Sequence, residues 1–309
     1  PRPARAMGAG VGGAGPGGLG YVPTRGADAL RTAGTRKVTV SVDLSYAPGP
    51  LTAPTWSGSF RPEGITGTVA MLGRSDQRAR PGRPGPADPV ASTLDAFVAR
   101  LAEHGVAARK AASREARAVA DAPVLGSVDS APVLDQLALA LTESDNALIE
   151  ILARQAAYRS GAKTSFAQVG AWVVSRVAAL GIDVEGVILR DASGLSRQNR
   201  VTALLLTDLL ATAYGGRHPS LRLALAGMPI AGLTGTLEDR YDSGAGHDAA
   251  GRVRAKTGTL TGANALAGSV VDEDGHLLVY AGLVAKAPTD RARSALDRFV
   301  TTLAACDCR

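Results

Sequence analysis

An α/β sandwich, with helices flanking an antiparallel sheet, is the fold class predicted for this 309-residue chain. Three features predict it: a helix-rich block after residue 130, three short apolar or alternating runs behind it, and an amphipathic segment that closes the chain. Helical periodicity runs through residues 133–143, again through 147–157, and again through 166–180, where Gly181 supplies a C-terminal stop. Residues 252–257, 265–271 and 277–284 then read as strands. Thr261-Gly262 and Glu273-Asp274-Gly275 separate them, which is the spacing of an antiparallel meander joined by tight turns. Residues 291–304 complete the pattern as a helix, and no internal repeat is present.

The front of the chain is organised differently. Eight glycines between Gly8 and Gly20 leave too little apolar surface to offset the entropy of ordering, so residues 1–30 are expected to be a Gly-rich linker or disordered. Residues 37–44 alternate and are rich in β-branched side chains, the pattern of a half-buried strand. A Pro/Gly/Arg-rich stretch at 78–89 reads as a loop or boundary, and 90–105 as a helix stopped by Gly105. The expected division is 1–30, 31–120 and 121–309.

Composition narrows the function classes. With 45% hydrophobic and 20% charged residues the chain can bury a sizeable core. No run approaches the ~20 apolar residues that cross a bilayer, and residues 1–20 lack the basic-then-apolar order of a secretion signal. An exported protein would therefore be a mature form or a fragment. The net charge of +6 is front-loaded: residues 1–120 hold 16 of the 34 basic and 8 of the 28 acidic residues, leaving 18 against 20 behind them. Few aromatics accompany the basic residues and no nucleic-acid fold motif appears, so no nucleic-acid partner is expected. Cys306 and Cys308 are the only cysteines, with no Cys/His cluster to complete a metal site. A bridge between such near neighbours would be strained, so an oxidised cysteine is expected to find its partner outside this chain. His104, His218, His247 and His276 lie in loop or turn contexts, and no Gly-x-Ser-x-Gly elbow accompanies them.

Two short clusters carry chemistry. Ser144-Asp145-Asn146 lies between two helical segments, which presents its side chains from a short connection; alone, it reads as a helix N-cap. Lys256-Thr257-Gly258-Thr259 lies at the end of the first strand, where Gly258 permits close approach of a ligand backbone; alone, it reads as a solvated strand end. Together and in this order they match the second and third elements of the penicillin-recognising serine enzymes.

The chain resembles one branch of those enzymes, the class C low-molecular-mass penicillin-binding proteins, which act as D-Ala-D-Ala carboxypeptidases and endopeptidases. The resemblance spans roughly residues 121–309. It includes Ser130-Ala131-Pro132-Val133, then Asp191-Ala192-Ser193-Gly194-Leu195-Ser196 with Asn199, where Ala192 replaces a glycine of the family. It continues through Pro229-Ile230-Ala231-Gly232, Gly235-Thr236-Leu237 with Arg240, and Ala250-Gly251-Arg252-Val253-Arg254-Ala255-Lys256-Thr257-Gly258. The resemblance implies a penicillin-binding transpeptidase/β-lactamase-like sandwich. Residues 31–120 would be the remnant of an inserted domain, and 121–309 the C-terminal part of the catalytic domain. It also implies peptidoglycan stem peptides ending in D-Ala-D-Ala as substrates, β-lactams as inhibitors and an extracytoplasmic location, with the signal peptide outside this chain. No cofactor and no metal are implied.

By the same resemblance, a nucleophilic Ser activated by a Lys one helical turn away forms an acyl-enzyme that water opens. Ser144 and Asn146 relay a proton to the leaving nitrogen and hold the substrate amide. Lys256 supplies charge, Thr257 and Thr259 donate to the substrate carboxylate, and the Thr259 N–H is half of the oxyanion hole. The family's Ser-x-x-Lys is not found before Ser144. The chain's sole match, Ser160-Gly161-Ala162-Lys163, comes after Ser144 in a Gly-containing loop, so a truncated or misread front is expected rather than a dead enzyme. Two alternatives stand beside this reading. A class A β-lactamase needs a Glu with an Asn four positions on, yet Leu189 follows Glu185 at that distance. A binding module for D-Ala-D-Ala ends or β-lactams would look the same from Ser144 onward.

Overall fold

The computed structural model describes residues 21–119, 121–241 and 249–306. The Gly-rich residues 1–20, His247 and Cys308 lie outside the described residues. The chain divides into two units, one of Pro1–Val133 with Glu150–Phe166 and one of Leu134–Ile149 with Ala167–Arg309.

The first unit contains a β-α-β arrangement. Strand β1 (Lys37–Val42) pairs in parallel with β2 (Ala107–Glu115), and helix α2 (Pro89–Glu103) lies between them in sequence, as a parallel pair requires. In β1, Val38, Val40 and Val42 are half-buried and alternate with exposed residues. Asp88 accepts from the Ala91 N–H and Pro89 occupies the first turn, which together start α2; Gly105, at φ +79°, follows its end. Helix α1 (Tyr21–Thr32) contributes Ala27 to a small core with Leu101 and Val106, packed by Val38, Val40 and Phe97. Residues 21–30, read from the sequence as linker, are thus helical. Strand β2 was also unforeseen, because Ala107–Glu115 carries no β-branched residue and four charges.

A long irregular stretch follows β1 in this unit and is clasped by residues 150–166. Arg154 Nη2 donates to the Pro50 carbonyl at 2.6 Å, its Nη1 to that of Val69 at 3.4 Å, and its guanidinium lies 4.9 Å from the Phe166 ring centre. Trp56 meets the same ring edge-on at 5.1 Å. Glu150 and Arg154 are both almost fully buried.

The second unit holds the expected meander. Strands β3 (Val253–Leu260), β4 (Ala263–Val271) and β5 (Leu277–Ala285) form an antiparallel sheet in that order, turned at Gly262 (φ +73°) and Gly275 (φ +85°). One face packs on α8 (Thr289–Ala304), where Leu296 and Val300 join Val253, Ala255, Leu266, Val270 and Tyr280 in the main core. A Cβ on Gly282 would sit 2.4 Å from Leu296 Cδ2, so glycine here lets that leucine lie directly against the strand. Helix α6 (Ala203–Tyr214) packs against β4 and β5, and its Tyr214 hydroxyl bonds the Ser269 hydroxyl at 2.7 Å. The helices expected at 133–143, 147–157 and 166–180 are α3 (Val133–Thr142), α4 (Asn146–Arg159) and α5 (Phe166–Ala178). Helices α6 and α7 (Pro219–Leu225) were not anticipated; the ALLLTDLLATAY run of α6 is apolar on most sides and offers no amphipathic stripe. The expectation that an oxidised cysteine pairs outside this chain involves Cys308, which lies outside the described residues.

Candidate active site

Three short elements of the second unit converge. The connection between α3 and α4 presents Ser144 with φ +54°, a left-handed conformation that is uncommon for a residue with a Cβ. The turn is closed by the Asp145 N–H bonding the Ala140 carbonyl at 3.0 Å. Asp145 Oδ1 in turn accepts from the Leu148 N–H at 3.0 Å. Both readings of this cluster are therefore realised, by different residues: Asp145 caps α4, and Ser144 is left to turn elsewhere.

Ser144 turns to β3. Lys256 Nζ donates to Ser144 Oγ at 2.7 Å and to the Thr257 carbonyl at 2.8 Å. Burial holds the Lys256 ammonium down to about 8, and no carboxylate among the described residues pairs with it. Asn146 opens α4 two residues after Ser144.

The edge of β3 is half covered. The Pro229 carbonyl accepts from the Ala255 N–H at 2.9 Å, and the Ala231 N–H donates to the Val253 carbonyl at 3.0 Å. Since Val253 and Ala255 face this edge, strand alternation aims the N–H and C=O groups of Thr257 and Thr259 there as well. Beyond Ala255 no strand among the described residues pairs with that edge. Gly258 stands opposite Ala265 on the sheet, with only 3.3 Å between an added Cβ and the alanine methyl.

A 3-10 turn at Gly235–Leu237 borders the same strand. Thr236 Oγ1 lies 2.9 Å from Thr257 Oγ1. Gly235, at φ +58°, could not carry a side chain, because a Cβ would come 2.3 Å from the Thr142 carbonyl. That carbonyl ends α3, two residues before Ser144.

The Asp191–Asn199 signature is a scaffold. Asp191 is fully buried and accepts from the N–H groups of Gly194 at 3.0 Å and Ser196 at 2.6 Å, and from Asn199 Nδ2 at 2.7 Å. With its lone pairs so engaged, it builds the loop rather than moving protons. Arg197, which sequence reasoning passed over, extends from this loop to the Thr261 carbonyl at 2.9 Å, at the turn that follows β3. An Arg beside a signature loop was the available signal.

Ser160 and Lys163, in the first unit, do not form a nucleophile pair. Ser160 follows the end of α4 and donates to the Ala157 carbonyl at 2.7 Å, Gly161 sits at φ +82°, and Lys163 is exposed. Glu185 is exposed on a turn, where its N–H bonds Asp183. Among the described residues no group of three His, Cys, Asp or Glu is placed to hold a metal, and no helix is long and apolar enough to cross a membrane.

Comparison with known proteins decides the family. The signature of the D-Ala-D-Ala carboxypeptidase 3 (S13) family matches residues 58–303. The chain belongs to that family. It is 36% identical over 283 residues to carboxypeptidase DacB of Mycolicibacterium smegmatis, covering 91% of this chain and 61% of the relative. It is 33% identical over 280 residues to carboxypeptidase Rv3627c of Mycobacterium tuberculosis, covering 90% and 60%. This S13 chain thus spans about three-fifths of the length of these two relatives. The fold is that of penicillin binding protein 4 (dacB) from Haemophilus influenzae, at a TM-score of 0.75 and 18% identity over 93% of this chain and 80% of that one. A second structure of that protein, in complex with a β-lactam, aligns at a TM-score of 0.59 and 21% identity, over 72% of this chain and 52% of that one. The α/β fold with an antiparallel sheet, expected from the sequence, is the fold of these proteins.

Proposed function

We propose that this S13 chain carries the substrate-binding and proton-relay side of a serine-type D-Ala-D-Ala carboxypeptidase or endopeptidase that works on peptidoglycan stem peptides outside the cytoplasm. The observation that supports it most is the 2.7 Å bond from Lys256 Nζ to Ser144 Oγ. An ammonium that donates to a hydroxyl oxygen leaves the hydroxyl's own proton free to point elsewhere. Ser144 can then pass that proton to a leaving amine, with Asn146 beside it to hold a substrate amide. A peptide laid along the free part of the β3 edge would meet the N–H of Thr259, and its terminal carboxylate would meet Lys256, Thr257 and Thr259. Gly258 keeps that approach open.

The acyl-enzyme step needs a nucleophile with an adjacent base, and in this sequence no Ser-x-x-Lys precedes Ser144. For residues 1–309 alone this favours binding without acylation, the second reading. Purified residues 1–309 are expected to bind a peptide ending in D-Ala-D-Ala in preference to its L-Ala-L-Ala isomer, and to show no penicillin adduct by intact-protein mass spectrometry. A protein that adds an in-frame Ser-x-x-Lys helix is expected to take up one penicillin and keep it, because Leu189 stands where an Asn four positions after Glu185 would help to activate the deacylating water. A stoichiometric adduct on residues 1–309 that disappears in Ser160→Ala would move the nucleophile to Ser160 and overturn this assignment.

A further inference from the structure

The hydroxyl of Thr236 has no place in the reading above, yet it meets Thr257 at the strand edge. Thr236 Oγ1 and Thr257 Oγ1 are 2.9 Å apart on the exposed rim of the site. A threonine pair on a protein surface would ordinarily be traded for water, so the question is what fixes this one. The turn that carries Thr236 is pinned from behind: Gly235 lies against the Thr142 carbonyl so closely that no Cβ fits. Thr142 is itself tied by its hydroxyl to the Gly227 carbonyl at 2.7 Å. The Thr257 backbone is equally constrained, since its carbonyl accepts from Lys256 Nζ at 2.8 Å. Both hydroxyls are thus held by backbones with little freedom to separate.

Each threonine hydroxyl has one proton. Arg240, the nearby cation of the same sequence segment, is already committed to Asp297 on α8. Among the described residues, the donors that this rim offers to an anion are Lys256 and the threonine hydroxyls. We infer that Thr236 is a positioning residue: it donates its proton to Thr257 Oγ1, which turns the Thr257 proton outward to the terminal carboxylate of a peptide substrate. Donation into a hydroxyl also polarises it and strengthens the bond that it makes in turn. This inference rests on the proposal that the β3 edge binds peptides with a free C-terminal carboxylate, and it makes Thr236 a determinant of preference for that carboxylate.

The test compares two ligands on residues 1–309: an N-acylated tripeptide ending in D-Ala-D-Ala as the free acid, and the same tripeptide as its C-terminal amide, titrated by calorimetry. The unmodified chain is expected to prefer the acid. Thr236→Val keeps the β-branched shape on an exposed turn but removes the donor, and is expected to cut the acid-over-amide preference by about three- to tenfold, the scale of one hydrogen bond. Affinity for the amide should stay within about twofold, and Thr236→Ser should restore the preference. A structural role would lower both affinities together and would not be rescued selectively. If the unmodified chain prefers the acid and Thr236→Val retains the full preference, the inference fails and the site reading stands. If the unmodified chain does not distinguish acid from amide, the site reading fails and takes the inference with it.

Discussion

Arg154 in the first unit and Lys256 in the second are both cations drawn largely out of water, and burial lowers the pKa of each. Their surroundings differ in one respect. Arg154 has the Glu150 carboxylate one helical turn behind it, two backbone carbonyls on its guanidinium and an aromatic face against it. Lys256 has a hydroxyl, a carbonyl and no carboxylate among the described residues. A buried charge that is fully answered by its own protein fastens the structure. One that is answered only by neutral dipoles keeps most of its field for a visitor, at a cost in stability.

The largest effect expected from this contrast is at Arg154. Arg154→Met leaves the buried Glu150 charge and two carbonyls without their cation, and should cost about 3–5 kcal/mol in unfolding free energy by urea denaturation. A loss below about 1 kcal/mol would mean that Arg154 does not fasten the loop. Lys256→Met should do the reverse. Stability at neutral pH should not fall, while affinity for a free-acid D-Ala-D-Ala peptide should drop about tenfold to hundredfold, the scale of a hydrogen bond to a charged group. Equal losses of stability in the two variants would erase the comparison.

The same difference shows in pH dependence. In the folded chain Lys256 gives up its proton near 8, against an ordinary value of 10.5. Between these values the unfolded chain holds a proton that the folded one lacks, so stability rises with pH across that window. This component should be present in the chain and missing from Lys256→Met. Peptide affinity should move oppositely and decline as pH passes about 8. A smaller effect is expected beside the site. Asp145→Ala removes the cap of α4 and should cost about 1 kcal/mol by thermal melting, whereas Asp145→Asn should keep most of it. No change in either variant would remove Asp145 from the capping role.

Sequence legibility followed periodicity and chemistry. The meander could be read because β3 to β5 alternate between two turn signals, and the helices around Ser144 because their apolar residues recur at helical spacing. Strand β2 could not, since nothing in AARKAASRE marks a strand; its partner β1 recruits it. At the site, Lys256 and Ser144 were legible as motif members, but their direct bond depends on the left-handed turn at Ser144, which no local rule assigns to a serine. Thr236 was legible only as part of a string. Its partner lies 21 positions away, across a segment whose length carries no geometric information.

The register between β3 and β4 limits where this chain could gain or lose a residue. Eight consecutive pairs join the two strands, with Lys256 opposite Ala267 and Thr257 opposite Leu266. A single residue gained or lost inside either strand would exchange these faces, sending the ammonium toward α8 and a core leucine toward the cleft. The hairpin tip is tied as well, because the Thr261 carbonyl accepts from Arg197 Nη2 at 2.9 Å. The following hairpin, at Glu273-Asp274-Gly275, joins β4 to β5 at the opposite end of β4 from the Thr261-Gly262 turn. Insertions and deletions that leave β3 in phase are therefore expected to be tolerated better at that second hairpin, away from Lys256.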